Sequence, residues 1–242
     1  MDNLEPVLLD AACKNYIWGG TRLRTEYRQK SCAPRVAESW MLSCHPDGPS
    51  VVRSGELSGL TLPEYLEKAG KGITGTDCAR FPSFPVLIKL IDAKNPLSVQ
   101  VHPDDDYART HEGGFGKSEM WYVVDCEEGA FLYYGFDHPV SREEFRERIM
   151  RNTLTEVLNK VPVKPGDVFF IEAGTLHAIG AGILIAEIQQ SSNLTYRVYD
   201  YGRLGLDGKP RALHIPQALD VARRERPRRP AGPQGSLRRE PG

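Results

Sequence analysis

Short apolar runs fenced by turn residues decide what this chain can fold into. Segments such as "PVLIKLIDA", "EMWYVVD", "GAFLYYGF", "TEVLNKVPV", "GDVFFIEA" and "AGILIAEIQQ" are rich in Val, Ile, Phe and Tyr and lie between Gly, Pro, Asp and Asn. Runs of this length, with β-branched and aromatic residues, read as strands. In "VKPGDVFFI" the turn is explicit, because Pro165, Gly166 and Asp167 feed straight into a strand. Strand and turn alternating along most of the chain predict a sandwich or barrel. Few helices interrupt the pattern. Thr61 with Glu64, and Ser141 with Glu144, each form a capping-box pair ahead of a short amphipathic stretch. "PDDDYARTHEGG" carries acids where a helix begins and glycines where it ends.

The chain has 242 residues, enough for one large β domain, or one domain plus a fragment, with a real core. Its formal net charge is −1, so no global field draws nucleic acid or membrane, and anion binding needs a local cluster. The start, "MDNLEPVLLDAACKNY", has neither the basic nor the apolar region of a signal peptide. The five cysteines (Cys13, Cys32, Cys44, Cys78 and Cys126) form no CxxC pair and read as free thiols in a reducing cytosol. A cytoplasmic protein is therefore expected. Residues 222–242, "ARRERPRRPAGPQGSLRREPG", change character, with seven arginines, no lysine and one leucine. The expected division is a folded domain over 1–221 and an Arg/Pro/Gly-rich disordered tail over 222–242. A chain that has lost its natural ending gives a second reading of the same composition.

Side chains alternate across a strand, so in "LSVQVHP" Ser98, Gln100 and His102 share one face while Val99 and Val101 take the other. Lys117 and Glu119 share a face in "GKSEMWYVV", and His177 follows a glycine turn in "GTLHAIG". Brought together in one barrel, these residues offer two imidazole nitrogens, a carboxylate and an amide oxygen. That set suits zinc with an open position, and equally ferrous iron. A lone histidine such as His177 is more often a packed residue than a ligand. Lys89 sits in the apolar run "VLIKLI", either facing solvent from an edge strand or waiting in the barrel mouth for an anion. Arg197, in "LTYRVYDYG", is either salt-bridged to Asp200 or Glu187 or part of a site.

"KNYIWGGTRL", "AESWMLSCHPDGPSVV", "PLSVQVHPDD", "KSEMWYVVD", "GTLHAIGAGILIAEIQQSSNLTYRVYDYGR" and "ALHIPQALDV" resemble type I mannose-6-phosphate isomerase in its shorter bacterial form, over roughly residues 5 to 221. The resemblance implies a mainly β, cupin-type jelly roll, one Zn2+ per chain, and interconversion of mannose 6-phosphate and fructose 6-phosphate. By motif, His102, Glu119 and His177 match the metal ligands and Gln100 a fourth. Arg197 matches the active-site arginine, Glu187 a pocket glutamate, and Ser98, Lys89 and Lys117 the substrate and phosphate pocket. Glu38 and Trp40 are read either as the pocket floor or, by preference, as structural, and His45, His111, His138 and His214 as bystanders. The resemblance implies a second cupin-like half past "LHIPQALDV"; the expectation is that this half is missing here, with lower stability and impaired turnover as the consequence. Isomerisation through an enediol needs a base. Glu187 leads, with Lys117 or a metal-bound hydroxide left open. An iron-dependent cupin oxygenase and a non-catalytic sugar-phosphate binder are the competing classes. A phosphosugar is the expected partner, and the oligomeric state is left open.

Overall fold

A computed structural model describes residues 6–70 and 72–227. The chain opens with β1 (Leu9–Asp10), β2 (Ala12–Lys14), α1 (Arg22–Thr25), β3 (Glu38–Leu42), β4 (Val51–Val52) and α2 (Leu62–Ala69). It continues through β5 (Val86–Ala93), β6 (Val99–Val101), α3 (Asp105–His111), β7 (Glu119–Cys126), β8 (Phe131–Phe136) and α4 (Arg142–Met150). The rest is β9 (Leu158–Pro162), β10 (Val168–Ile171), β11 (His177–Ile179), β12 (Ile183–Gln190), β13 (Tyr196–Tyr199) and α5 (Ile215–Val221).

The strands form two large antiparallel sheets and one small pair. The first runs β10-β7-β12-β5-β3-β2 and the second β13-β6-β11-β8-β9, with β1 and β4 paired apart. The inner faces of the two large sheets share one apolar core, in which Ile91, Trp121 and Ile185 from the first meet Leu132, Tyr134 and Ile179 from the second. This double-sheet jelly roll answers to the sandwich or barrel the strand pattern predicts, and to the cupin-type fold the family resemblance implies. The back of the second sheet is covered by helices. Phe145 and Ile149 of α4 and Ala218 and Leu219 of α5 pack there against Val99, Val101 and Val198. Alternation thus works twice on β6: its valines face the helices, leaving Ser98, Gln100 and His102 for the barrel interior.

The helix signals mark the starts of α2 and α4, although the Ser141–Glu144 capping box is only half formed, with the Glu144 carboxylate turned to Arg148 instead. Both halves of the Thr61–Glu64 capping box are formed on α2. The Ser141 hydroxyl accepts from the Glu144 amide at 3.0 Å and starts α4. Because α4 seals the back of the sheet that carries two histidines, Ser141→Ala is expected to cost about 1 kcal/mol of stability. Urea melts check this, and an unchanged midpoint would show the cap to be redundant.

Residues 222–227, at the start of the expected tail, lie against the body. Ala222 is buried, the Arg223 amide donates to the Gly174 carbonyl at 2.7 Å, and the Arg224 carbonyl accepts from Val140 at 2.9 Å. The remaining part of the tail, 228–242, lies outside the described residues. All five cysteines are free thiols. Among the described residues no helix is long and apolar enough to cross a membrane.

Candidate active site

Two rungs of side chains, one from each large sheet, face each other across the barrel. In the first sheet the pairing aligns Trp40 with Lys89, Lys89 with Glu187, Glu187 with Trp121 and Trp121 with Phe169. In the second it aligns Arg197 with Gln100, Gln100 with His177 and His177 with Tyr134. The rungs touch where the Trp121 and His177 rings meet edge to face, 5.3 Å between centroids. Antiparallel register therefore assembles the site from residues far apart in sequence.

His102, Glu119 and His177 are fully buried and each offers a ligand atom within 4.8 Å of the others. His177 Nε2 lies 3.2 Å from Glu119 Oε1, and His102 Nε2 lies 3.6 Å from Glu119 Oε2. Ligand atoms about 2.0–2.2 Å from one ion stand roughly 3–4 Å from each other, so these separations fit a shared ion. The proton positions fit as well. His102 Nδ1 donates to the Leu194 carbonyl at 2.8 Å and His177 Nδ1 to the Thr175 carbonyl at 2.9 Å. Each ring is thereby locked in the tautomer that turns a bare Nε2 inward. Burial holds both imidazoles neutral, with His177 pushed down to about 4 and His102 well below its ordinary value. His102 Nε2 and Glu119 Oε1 are buried and accept no hydrogen bond, while Glu119 Oε2 is paired with Lys117 Nζ at 2.9 Å. Orphaned acceptors of this kind, one imidazole nitrogen and one carboxyl oxygen, are what a divalent cation satisfies. The Gln100 amide, 3.3 Å from His177 Nε2, adds a neutral donor at the same point.

Beside the trio runs a buried chain of alternating charge. Lys89 Nζ lies 3.4 Å from both Glu38 Oε2 and Glu187 Oε1, and Lys117 Nζ lies 3.7 Å from Glu187 Oε1 and 2.9 Å from Glu119 Oε2. The tryptophans cap its carboxylates: Trp40 donates to Glu38 at 2.7 Å and Trp121 to Glu187 at 2.8 Å. Burial alone would raise Glu187, but Lys117, Lys89 and the Trp121 N–H outweigh it and hold the carboxyl at about 2. Burial, then the nearby Glu187 charge, pushes Glu119 up to about 8 against the pull of Lys117. Burial opposes the charge on Lys117, yet Glu119 and Glu187 overcome it and raise its value.

The chain of charge opens into a cavity of about 280 Å³, lined by Lys89, Lys117, Glu187, Ser98, Gln100 and Arg197 among others. Small-molecule pockets start at roughly 300 Å³, so one small polar ligand fills it. The trio is joined to this lining by Lys117, 2.9 Å from Glu119, and by Gln100, 3.3 Å from His177. Arg197 donates from Nε to Ser98 Oγ at 3.3 Å and from Nη1 to the Ala212 carbonyl at 3.1 Å. Burial, then the neighbouring Arg211, lowers the Arg197 value.

Every residue singled out from the sequence is at this one place. Lys89 does not face solvent from an edge: β5 is interior, between β12 and β3, and the side chain is 3% exposed. Arg197 has no carboxylate partner among the described residues. Asp200 instead pairs with Arg203 and Arg211. Sequence reading missed Arg211, which lines the cavity, and gave Glu38 a structural part although it lines the cavity too. The one signal for Glu38 was a carboxylate two residues from a tryptophan on an inward face.

A buried His–Glu–His trio at the back of a polar cavity in a jelly roll defines a cupin-type metal-dependent protein. The family model for the catalytic domain of type I phosphomannose isomerase matches residues 7–129. The chain is 46% identical over 218 residues to mannose-6-phosphate isomerase of Streptococcus mutans, covering 90% of this chain and 67% of that one. It is 44% identical to a probable mannose-6-phosphate isomerase of Bacillus subtilis, covering 89% of this chain and 68% of that one. The crystal structure of mannose 6-phosphate isomerase from Bacillus subtilis superposes with a TM-score of 0.85 at 40% identity, over 91% of this chain and 69% of that one. The chain belongs to the type I phosphomannose isomerase family. It spans about two thirds of the length of the relatives it matches.

Proposed function

We propose that this chain interconverts mannose 6-phosphate and fructose 6-phosphate through an enediol, in the cytoplasm, with one Zn2+ held by His102, Glu119, His177 and Gln100. The observation that carries this reading is the juxtaposition of the trio, with its unsatisfied acceptors, and a cavity lined by four cationic side chains, Lys89, Lys117, Arg197 and Arg211. Three carboxylates (Glu38, Glu119, Glu187) face two ammonium groups (Lys89, Lys117) in the buried chain. A divalent ion reverses that balance, and with the two arginines it leaves the cavity matched to an anionic sugar. Two imidazoles, a carboxylate and an amide suit zinc with a position open to substrate.

A divalent ion held by His102, Glu119 and His177 would supply Lewis-acid polarisation of the substrate carbonyl and charge to offset the developing oxyanion. The residues do the rest. Arg197, Arg211 and Ser98 grip the phosphate, whose binding energy fixes the register of the distant reacting carbons. Lys89 and Lys117 present charge to the sugar oxygens. The proton leaves C2 of the aldose, the electron pair forms the C1–C2 double bond and O1 takes a proton to complete the enediol; the O2 hydroxyl then gives up its proton as the C2 carbonyl forms and a proton returns at C1. Glu187 is the proton acceptor in this reading. Its Oε2 is engaged by Trp121, whereas its buried Oε1 accepts no hydrogen bond. Held at about 2, it is ionised at any working pH, and its uptake of a proton is coupled to loosening of the Lys89 and Lys117 ion pairs.

The deciding experiment supplies mannose 6-phosphate and detects fructose 6-phosphate. Formation of product supports the isomerase. Oxygen consumption without isomerisation would make it an oxygenase, and binding without turnover a sugar-phosphate binder. Arg211→Gln separates phosphate from sugar recognition. Loss of one hydrogen bond to a charged group is expected to weaken mannose 6-phosphate roughly tenfold to hundredfold and leave unphosphorylated mannose unchanged. Equal weakening of both would place Arg211 on the sugar instead.

A further inference from the structure

We propose that His214 is a positioning residue for Arg197: it fixes the strand irregularity that turns Arg197 into the cavity, and so sets affinity for the phosphorylated sugar. The inference rests on the isomerase reading above. The pairing of β13 with β6 loses register between Arg197 and Tyr199, a bulge of the kind that re-aims a side chain, and β13 is the edge strand of its sheet, so main-chain groups that face away from β6 have no ladder partner. At Arg197 the missing partner is a side chain. Its amide donates to His214 Nδ1 at 3.1 Å, and its carbonyl accepts from the His214 amide at 2.8 Å. One residue therefore satisfies both main-chain groups of Arg197. The same segment holds the head of the side chain, because Ala212, two residues before His214, accepts from Arg197 Nη1 at 3.1 Å.

His214 is half-buried, and its ring lies beside Tyr196, 6.1 Å between centroids, on the residue before Arg197. Accepting at Nδ1 fixes the proton on Nε2. A cation in this place would also lower the charge that Arg197 tolerates, so a neutral acceptor is the right chemistry beside a guanidinium. An asparagine amide oxygen presents an acceptor at a similar distance from the main chain. Alanine presents none and leaves the Arg197 amide without its partner.

The test compares wild type, His214→Ala, His214→Asn, Arg197→Ala and the Arg197→Ala/His214→Ala double variant, all as metal-loaded full chains. Calorimetry measures binding of mannose 6-phosphate and of mannose, and hydrogen exchange reads the Arg197 amide. His214→Ala is expected to weaken mannose 6-phosphate roughly fivefold to tenfold, leave mannose unchanged and speed exchange at the Arg197 amide. His214→Asn is expected to restore both readouts. In the Arg197→Ala background, loss of His214 is expected to add nothing to the binding defect. An Arg197 amide that exchanges no faster in His214→Ala overturns the proposal. So does a binding loss of the same size when Arg197 is already absent. The isomerase reading fails separately, if wild type makes no fructose 6-phosphate. In that case the exchange comparison of Ala against Asn still decides the part played by His214.

Discussion

Alanine at His102, Glu119 or His177 is expected to strip the chain of its divalent ion and of isomerisation together. Each of the three supplies a ligand atom from a buried position that water cannot refill, and each is held rigidly. The imidazoles are locked by the Leu194 and Thr175 carbonyls, and the carboxylate is held by Lys117 Nζ, 2.9 Å from its Oε2. Losing an outer hydrogen-bond partner of a metal ligand costs roughly 10–100-fold in affinity or activity. Losing the ligand itself costs more, so metal is expected to be absent after dialysis. Gln100→Ala is expected to be milder, because a neutral amide is the weakest donor of the set and its side chain is only partly buried. Elemental analysis of the dialysed variants checks the order. Undiminished metal in all three severe variants would sink the assignment. Chelation of wild type carries the same expectation by another route. A ligand that binds only the folded state raises its melting temperature, so removal lowers it.

The inward placement of these polar residues was legible because period-two alternation survives tertiary packing. Val99 and Val101 had to face an apolar layer, and α4 and α5 provide it, so Gln100 and His102 could only face inward. Lys89 was the ambiguous case. A lysine in "VLIKLI" is as compatible with an edge as with an interior, and only the order β12-β5-β3 decides. That order depends on pairing between residues nearly a hundred positions apart, such as Lys89 with Glu187. Arg211 and His214 were illegible for a related reason. They act from an irregular segment between β13 and α5, where no period constrains the side chains. Arg211 is aimed by Asp200, which takes two of its nitrogens at 2.5 and 2.8 Å. The helix starts were read correctly, because Thr61–Glu64 and Ser141–Glu144 are contacts within a single turn and owe nothing to the rest of the fold.

Replacement of Glu187 by glutamine is expected to cut turnover about a hundredfold or more, with the Michaelis constant for mannose 6-phosphate changing far less. A positioned base contributes roughly 10²–10⁴ to such a proton transfer, and glutamine keeps the shape while removing the acceptor. The substitution also takes away a charge that two ammonium groups share, Lys89 at 3.4 Å and Lys117 at 3.7 Å. Breaking a buried pair on one side costs about 3–5 kcal/mol, so the variant is expected to melt lower as well. Stability alone does not explain a turnover loss, and Glu38→Gln provides the control. Glu38 is the other carboxylate on Lys89, also at 3.4 Å and likewise capped by a tryptophan. It sits one lysine further along the chain of charge, away from Lys117 and Glu119. Glu38→Gln is expected to share the loss of stability but to keep most of the turnover. If the two variants lose turnover equally, Glu187 acts by holding Lys89, and the base lies elsewhere. If Glu187→Gln alone loses it, and solvent deuterium no longer enters the sugar at the exchanging carbon, the acceptor is the carboxylate whose Oε2 takes the Trp121 N–H and whose Oε1 accepts no hydrogen bond.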